Sequence, residues 1–271
     1  MDLHTVEQLV RPSSRADLPD WRPGDCLLAG GTDVLSGSHE GLRRLVDLRA
    51  LGWPPLEFQP GLLRIAATCT FAEIAAADWP RDWTAAALIG TCCQALAGSF
   101  KVWNAATVGG NLCLALPAAP MLAAMAALDG AAVLWPAGGG ERRVAMRDFA
   151  TGPQQTVLRP GEVLRAVEVP AAAMRRRHAV RQASLTTLGR SAALLAATAD
   201  PADGGFGLTV TASTTRPLHR RWPAPPSPDA LDGWLAGLPA SSWLDDVHGA
   251  PAWRRHMTRR LAGELLADLA P

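Results

Sequence analysis

A chain of 271 residues, 48% of them hydrophobic, has enough apolar material to bury a packed core and to divide into two or three lobes. With 26 Lys and Arg against 25 Asp and Glu, the net charge of +1 supplies no global pull toward nucleic acid or an anionic membrane. No basic start runs into a continuous apolar stretch and no apolar segment is long enough to span a bilayer; no leader and no transmembrane segment are expected, and a cytoplasmic location is the default.

Up to about Ala50 the pattern predicts a small α/β unit. It has a helix at the amino end, then "DCLLAGGTDVL" as strand, glycine turn and helix start, then "RRLVDLRA" as a strand. From Leu56 to about Val169, "LLRIAATCTFAEIA" reads as a strand followed by a helix with a threonine at its amino end, a cap-compatible residue. A further helix is predicted over Trp83 to Leu96, ended by Gly98, and a buried helix over Ala118 to Leu128, stopped by Asp129-Gly130. Ala131 to Trp135 and "GEVLRAVEVP" read as strands. After Pro170 the pattern predicts a strand near His178 to Ala183, a helix near Ser191 to Ala199, a turn at Asp203 to Gly205 and a strand over Gly207 to Ala212. A proline-rich surface linker follows over Pro223 to Pro228. The closing "AWRRHMTRRLAGELLADLA" has helical apolar spacing with an arginine-rich opposite face.

Much familiar chemistry is missing. Cys26, Cys69, Cys92, Cys93 and Cys113 form an odd set with no CxxC, so buried or idle thiols are expected rather than zinc or disulfides. The six histidines show no HExxH or other metal-ligand spacing, and no metal is expected. There is no GxSxG elbow, no GxGxxG and no GxxxxGK[ST]. The runs Arg175 to Arg177, Arg220-Arg221, Arg254-Arg255 and Arg259-Arg260 read either as solvated faces or as docking surface for a partner subunit.

Two glycine pairs stand out. Gly30-Gly31-Thr32 and Gly109-Gly110-Asn111 each follow an apolar run and precede a small polar residue. Singly, each is either an ordinary turn needing positive φ or an anion cradle in which bare backbone aims successive N–H groups at phosphate oxygens. A pair of such turns in neighbouring lobes is better explained by one shared diphosphate, with Thr32, Thr107 and Asn111 adding hydroxyl and amide hydrogen bonds.

With "TVGGN", "LLAGGTDVL" resembles the paired flavin-diphosphate loops of the FAD-binding medium subunit of molybdenum hydroxylases, the family of carbon monoxide dehydrogenase and xanthine dehydrogenase. "GLRRLVDLRAL", "LLRIAATCTFAEI", "PAAPMLAAMAALDGAAVL", "GEVLRAVEVP", "AVRQAS" and "AWRRHMTRRL" follow in that family's order, over nearly the whole chain. The resemblance implies an α+β, vanillyl-alcohol-oxidase-like (PCMH-type) FAD fold: two α/β lobes over residues 1–54 and 55–170, and a carboxyl-terminal α+β domain over 171–271 that covers part of the flavin. It implies that Leu27, Leu28, Ala29, Gly30, Gly31, Thr32, Asp33 and Val34 wrap the diphosphate from one side. Thr107, Val108, Gly109, Gly110 and Asn111 complete the cradle from the other. Leu164 matches a ring-touching position, and Arg181 a basic position near the ring's polar edge, where a cation favours the anionic reduced flavin.

No side chain is then required as acid or base. The implied partners are a large subunit with the molybdenum cofactor, which oxidises substrate, and a small [2Fe–2S] subunit, with NAD, oxygen or a quinone as the acceptor. Two departures open alternatives. The family's Asn-Ala-Ser-Pro-like run, with an aspartate three residues past the proline for the adenosine half, is here Leu114-Ala115-Leu116-Pro117 with Pro120. The stretch ending in a ring-packing residue is here Leu185 to Arg190. Both features suit a degenerate scaffold subunit with weak or no FAD binding; a free-standing FAD oxidase is the third alternative.

Overall fold

The computed structural model describes residues 3–270, so residues 1, 2 and 271, the outermost positions of the first and last predicted lobes, lie outside it. The first sheet joins β1 (Gln8–Val10), β2 (Asp25–Leu28) and β3 (Arg44–Asp47), all parallel, with β3 in the middle. Asp25 and Arg44 lock its register through paired hydrogen bonds of 2.9 and 2.6 Å. Those bonds from Arg44 outweigh burial and hold the Asp25 carboxyl below the usual carboxylate range.

No α-helix occurs among the described residues before Phe71, although the sequence predicts one at the amino end and another after Gly31. Only five residues separate Gly31 from Gly37, too few to propagate a helix from its costly first turn, and the chain makes successive turns instead. At the amino end, parallel pairing of Gln8–Val10 with Arg44–Val46 outweighs the local helical spacing.

The second sheet comprises β4 (Leu56–Gln59), β5 (Leu62–Ala66), β6 (Ala131–Trp135), β7 (Arg142–Ala145) and, after the short hairpin of β8 (Ala150–Gly152) and β9 (Gln155–Thr156), β10 (Val163–Pro170). Its order is β4-β5-β10-β6-β7, antiparallel throughout. Glu168 sits on the central strand between Arg64 and Arg143. Burial alone would raise its carboxyl, but hydrogen bonds from Arg143 and Arg64 overcome that and hold it low.

Five helices lie between β5 and β6 in the chain: α1 (Phe71–Ala75), α2 (Ala86–Gln94), α3 (Phe100–Trp103), α4 (Val108–Leu114) and α5 (Pro120–Ala127). Every residue of α5 is buried, as its all-apolar sequence requires. At α1, Thr70 Oγ1 accepts from the Glu73 N–H (3.1 Å) and the Glu73 carboxylate accepts from the Thr70 N–H (2.7 Å). Thr70→Ala is expected to lower stability by about 1 kcal/mol, read as a urea midpoint shift at unchanged m.

After α6 (Met146–Phe149) and α7 (Ala171–Met174), the third sheet is an antiparallel meander of β11 (Arg177–Ala183), β12 (Ala193–Ala199), β13 (Phe206–Thr211) and β14 (Leu218–Trp222). Then come α8 (Pro228–Ala236) and α9 (Pro251–Leu269). The Ser191 to Ala199 segment, predicted helical, is strand β12. Leu194 and Ala196 face the core around α5, whereas Ala193, Leu195 and Ala197 face the core under α8 and α9. Alanine and leucine favour a helix locally, but a strand buried on both faces wants small apolar residues with no polar side, and the sandwich decides.

In the arginine runs Arg176 and Arg254 are buried, whereas Arg175, Arg177, Arg220, Arg221, Arg255, Arg259 and Arg260 are exposed, several of them in ion pairs. Arg176 bridges Asp129 (2.6 Å) and Asp200 (3.0 Å), Arg175 pairs with Asp82, Arg221 with Asp203 and Arg259 with Asp232. Arg254 is 1% exposed and holds three backbone carbonyls. Partners distant in sequence turn these cations into pins between elements. Among the described residues, no helix is long and apolar enough to cross a membrane.

Candidate functional site

Both glycine turns open onto one cavity of about 390 Å³. The first turn leaves the carboxyl end of β2, and all residues from Leu27 to Val34 line it. The second begins α4, and Thr107, Gly109, Gly110 and Asn111 line it as well. Leu164, on β10 beside a bulge in the pairing with β6, completes an apolar wall.

Close backbone approach explains the glycines. A Cβ on Gly30 would lie 1.8 Å from the Ala105 carbonyl oxygen, so the first turn presses directly on the chain entering the second. A Cβ on Gly109 would lie 2.6 Å from both Cβ and O of Ala67. Gly31 adopts φ +71°, a left-handed conformation that side chains resist.

The two turns differ in what they offer. Among the described residues, the N–H groups of Gly30, Gly31, Thr32, Asp33 and Val34 find no acceptor within the protein. Five successive open donors beside a cavity form an anion-binding concavity. The second turn has spent its donors, contrary to the expectation of a symmetric cradle. Val108 N–H donates to Cys69 O (2.8 Å), Gly109 N–H to Ala67 O (2.8 Å), Gly110 N–H to Thr107 Oγ1 (3.1 Å) and Asn111 N–H to Thr107 O (2.9 Å). A helix start packed against β5 must satisfy its first amides internally, and Thr107 does so as the N-cap. What the second turn leaves open is the Asn111 side chain: Oδ1 accepts from Met121 N–H (3.1 Å), which fixes the amide with Nδ2 available.

Two predicted site residues lie elsewhere. Val108 is fully buried in the main core, off the cavity. Arg181 faces α9, where it pairs with Asp268 and, at 3.6 Å, with Glu264. Strand parity is the cause: on β11 the Arg181 face carries Ala179 and Ala183, which pack beneath α8 and α9, and the opposite face carries Val180 and Gln182.

Leu48, Leu114, Leu116 and Leu158 also line the cavity and were not among the sequence candidates as ligand-facing residues. Nothing in their spacing separates them from core leucines. Ala105 and Ala106 carried a usable signal, since small residues just before a Gly-Gly pair mark a close backbone crossing. Burial raises the Cys26 thiol, and Cys69, Cys92 and Cys93 are buried, whereas Cys113 is exposed. Among the described residues, the only ionisable acid or base lining the cavity other than its thiols is Asp33; no Lys, Arg or His does. Open amides at one end and leucines around the rest suit a phosphorylated ligand with a large apolar body, and so fit the diphosphate of a flavin dinucleotide.

Residues 5–172 match the family model described as the FAD binding domain in molybdopterin dehydrogenase. Among solved structures, a chain of quinoline 2-oxidoreductase from Pseudomonas putida 86 superposes with a TM-score of 0.80 at 21% identity, covering 99% of this chain and 98% of that one. Carbon monoxide dehydrogenase from Hydrogenophaga pseudoflava gives 0.81 at 19% identity, with 97% and 96% covered. Reconstituted CO dehydrogenase from Oligotropha carboxidovorans gives 0.76 at 24%, with 97% and 98% covered. At these identities the structural likeness establishes the α+β fold. Comparison with curated protein sequences gave no match. The match over residues 5–172 and the cavity between the two glycine turns lead to one assignment: this chain belongs to the family of FAD-binding domains of molybdopterin dehydrogenases.

Proposed function

We propose that the chain is the electron-transfer subunit of a molybdenum hydroxylase and that the cavity between the two glycine turns holds FAD. The observation that carries this reading is the run of five open amides from Gly30 to Val34, pressed against the second turn at Ala105. These amides hold the diphosphate from one side. Asn111 Nδ2 adds a donor from the other, and Leu164 with Leu158 and Leu116 excludes water. Held there, FAD would supply the chemistry of accepting electrons singly from an iron–sulfur partner and passing them in pairs to an external acceptor. The chain's own residues move no proton; they position, desolvate and set charge.

A large subunit bearing the molybdenum cofactor and a small [2Fe–2S] subunit are the partners this role requires, with NAD, oxygen or a quinone beyond. The first expected result is a yellow purified protein that releases one FAD per chain on denaturation and co-purifies with an iron–sulfur subunit. A colourless chain that ignores added FAD overturns the reading.

A second reading, the flavin-poor scaffold, is favoured by one observation: the cavity sets Asp33 and no cation beside the place for a diphosphate. Pro120 begins α5 and is buried there, so no side-chain acceptor stands at that position. Losing two or three ligand hydrogen bonds amounts to about 1 to 3 kcal/mol, roughly ten- to a hundredfold in affinity. The same colour and FAD-release measurement separates the two readings.

A further inference from the structure

A wider groove adjoins the diphosphate cavity. Leu96 lines both, and Val102 of the first adjoins Trp103 of the second on α3. The groove measures about 1000 Å³, and Ala72, Ala75 and Ala76 keep one wall low. Phe100 and Leu188 stand exposed at its rim. Three side-chain amides line it, those of Gln94 at the end of α2, Asn104 and Gln182. Asn104, at the carboxyl end of α3, has no side-chain partner among the described residues. Gln182 donates from Nε2 to Ser191 Oγ (2.9 Å), which fixes its amide and leaves Oε1 open. Among the described residues, none that lines the groove is charged. Lys101 and Arg190 neighbour rim residues in sequence but are exposed and off the lining, and Arg181 is committed to α9.

We propose that this groove receives the isoalloxazine ring of the same FAD, and that Asn104 and Gln182 read its pyrimidine edge in place of a cation. The proposal rests on the flavin reading above. That edge presents carbonyl, N–H and carbonyl in sequence; Asn104 Nδ2 donates to a carbonyl oxygen and Gln182 Oε1 accepts from the N–H. Neutral amides match the neutral oxidised ring. Uptake of two electrons and one proton leaves the ring with one negative charge, and neither the groove nor the adjoining cavity offers a cation to balance it. Oxidised FAD is therefore held more tightly than reduced FAD, and the thermodynamic cycle places the midpoint potential of the bound couple below that of free FAD. Each tenfold difference in affinity corresponds to about 30 mV for a two-electron couple.

The test uses the full chain with FAD, and with ADP as a probe that lacks the ring. Asn104→Ala and Gln182→Ala are each expected to weaken FAD binding about three- to tenfold by flavin-fluorescence titration, with ADP binding unchanged. Dithionite titration against a redox dye is expected to place the bound couple below free FAD, and Gln182→Lys to raise it. Unchanged FAD affinity in both alanine variants overturns the proposal alone, as does a bound potential above that of free FAD. So does a fall in potential on Arg190→Gln, which would make Arg190 the missing cation. Failure of the wild-type chain to bind either FAD or ADP overturns the flavin reading and this proposal with it.

Discussion

Replacing Gly30 with alanine is expected to lower FAD affinity at least about a hundredfold while leaving the far-UV circular dichroism nearly unchanged. The added Cβ would stand 1.8 Å from the Ala105 carbonyl oxygen, and neither partner is a flexible side chain. Relief requires the two turns to separate by more than about 1 Å, which moves the first of the open amides away from the ligand position. Two lost hydrogen bonds to a charged phosphate, at about 1.5 kcal/mol each, account for that factor. Overpacking adds a stability loss of about 1 to 3 kcal/mol. Gly109→Ala is expected to behave similarly, since its Cβ would meet Ala67 at 2.6 Å. Gly110→Ala is the contrasting case. Its Cβ would meet only Thr107 Oγ1, at 3.0 Å, and its N–H is already bonded to that same oxygen. FAD retention in Gly110→Ala is expected to stay within about threefold of the parent chain. The measurement is the FAD-to-protein ratio after gel filtration, with binding titrations for each variant. Equal retention in Gly30→Ala and Gly110→Ala would remove the diphosphate from the first turn.

Arg254→Ala is expected to destabilise the fold by about 3 to 5 kcal/mol without touching the flavin cavity. The guanidinium donates to Ala192 O (2.6 Å) and Ala212 O (2.7 Å) through Nη1, to Gly249 O (2.8 Å) through Nε, and pairs with Asp246 through Nη2. Ala192 precedes β12 and Ala212 follows β13, so one side chain fastens the ends of two central strands to α9. Alanine leaves those carbonyls buried without a donor, and lysine, a point charge without the planar fork, cannot serve three carbonyls and a carboxylate together. Arg255→Ala, one residue on, loses only an exposed cation stacked 5.4 Å from the Trp243 ring centre, and is expected to change stability by less than about 1 kcal/mol. Urea denaturation of both variants checks the contrast. Similar midpoints for Arg254→Ala and Arg255→Ala would show that Arg254 contributes no more than a surface residue.

The contrast between neighbouring arginines shows where sequence information stops. "WRRHMTRR" declares a helix and a basic character, but only the position of β12, β13 and Gly249 makes Arg254 a buried pin and leaves Arg255 outside. Likewise "AVRQAS" declares a strand, as β11 is, but a strand gives each residue one of two opposite faces. Which face meets α9 and which meets α2 is set by the packing of whole layers, and that choice sends Arg181 to Asp268 and Gln182 to the groove.

What the sequence determined by itself was local and chemical. Its glycine pairs, their small polar followers and the missing nucleotide motifs were legible because bare backbone and turn chemistry depend on a few adjacent residues. The wholly apolar run of α5 and the strand "GEVLRAVEVP" were legible for the same reason. Tertiary structure decided what depends on distant partners: that Ser191 to Ala199 pairs as a strand, that Gly30 touches Ala105, and that the Gly109 and Gly110 amides are already used. A hydrogen-bond donor is available or spent according to what the rest of the chain brings within 3 Å of it, and no short stretch of sequence contains that information.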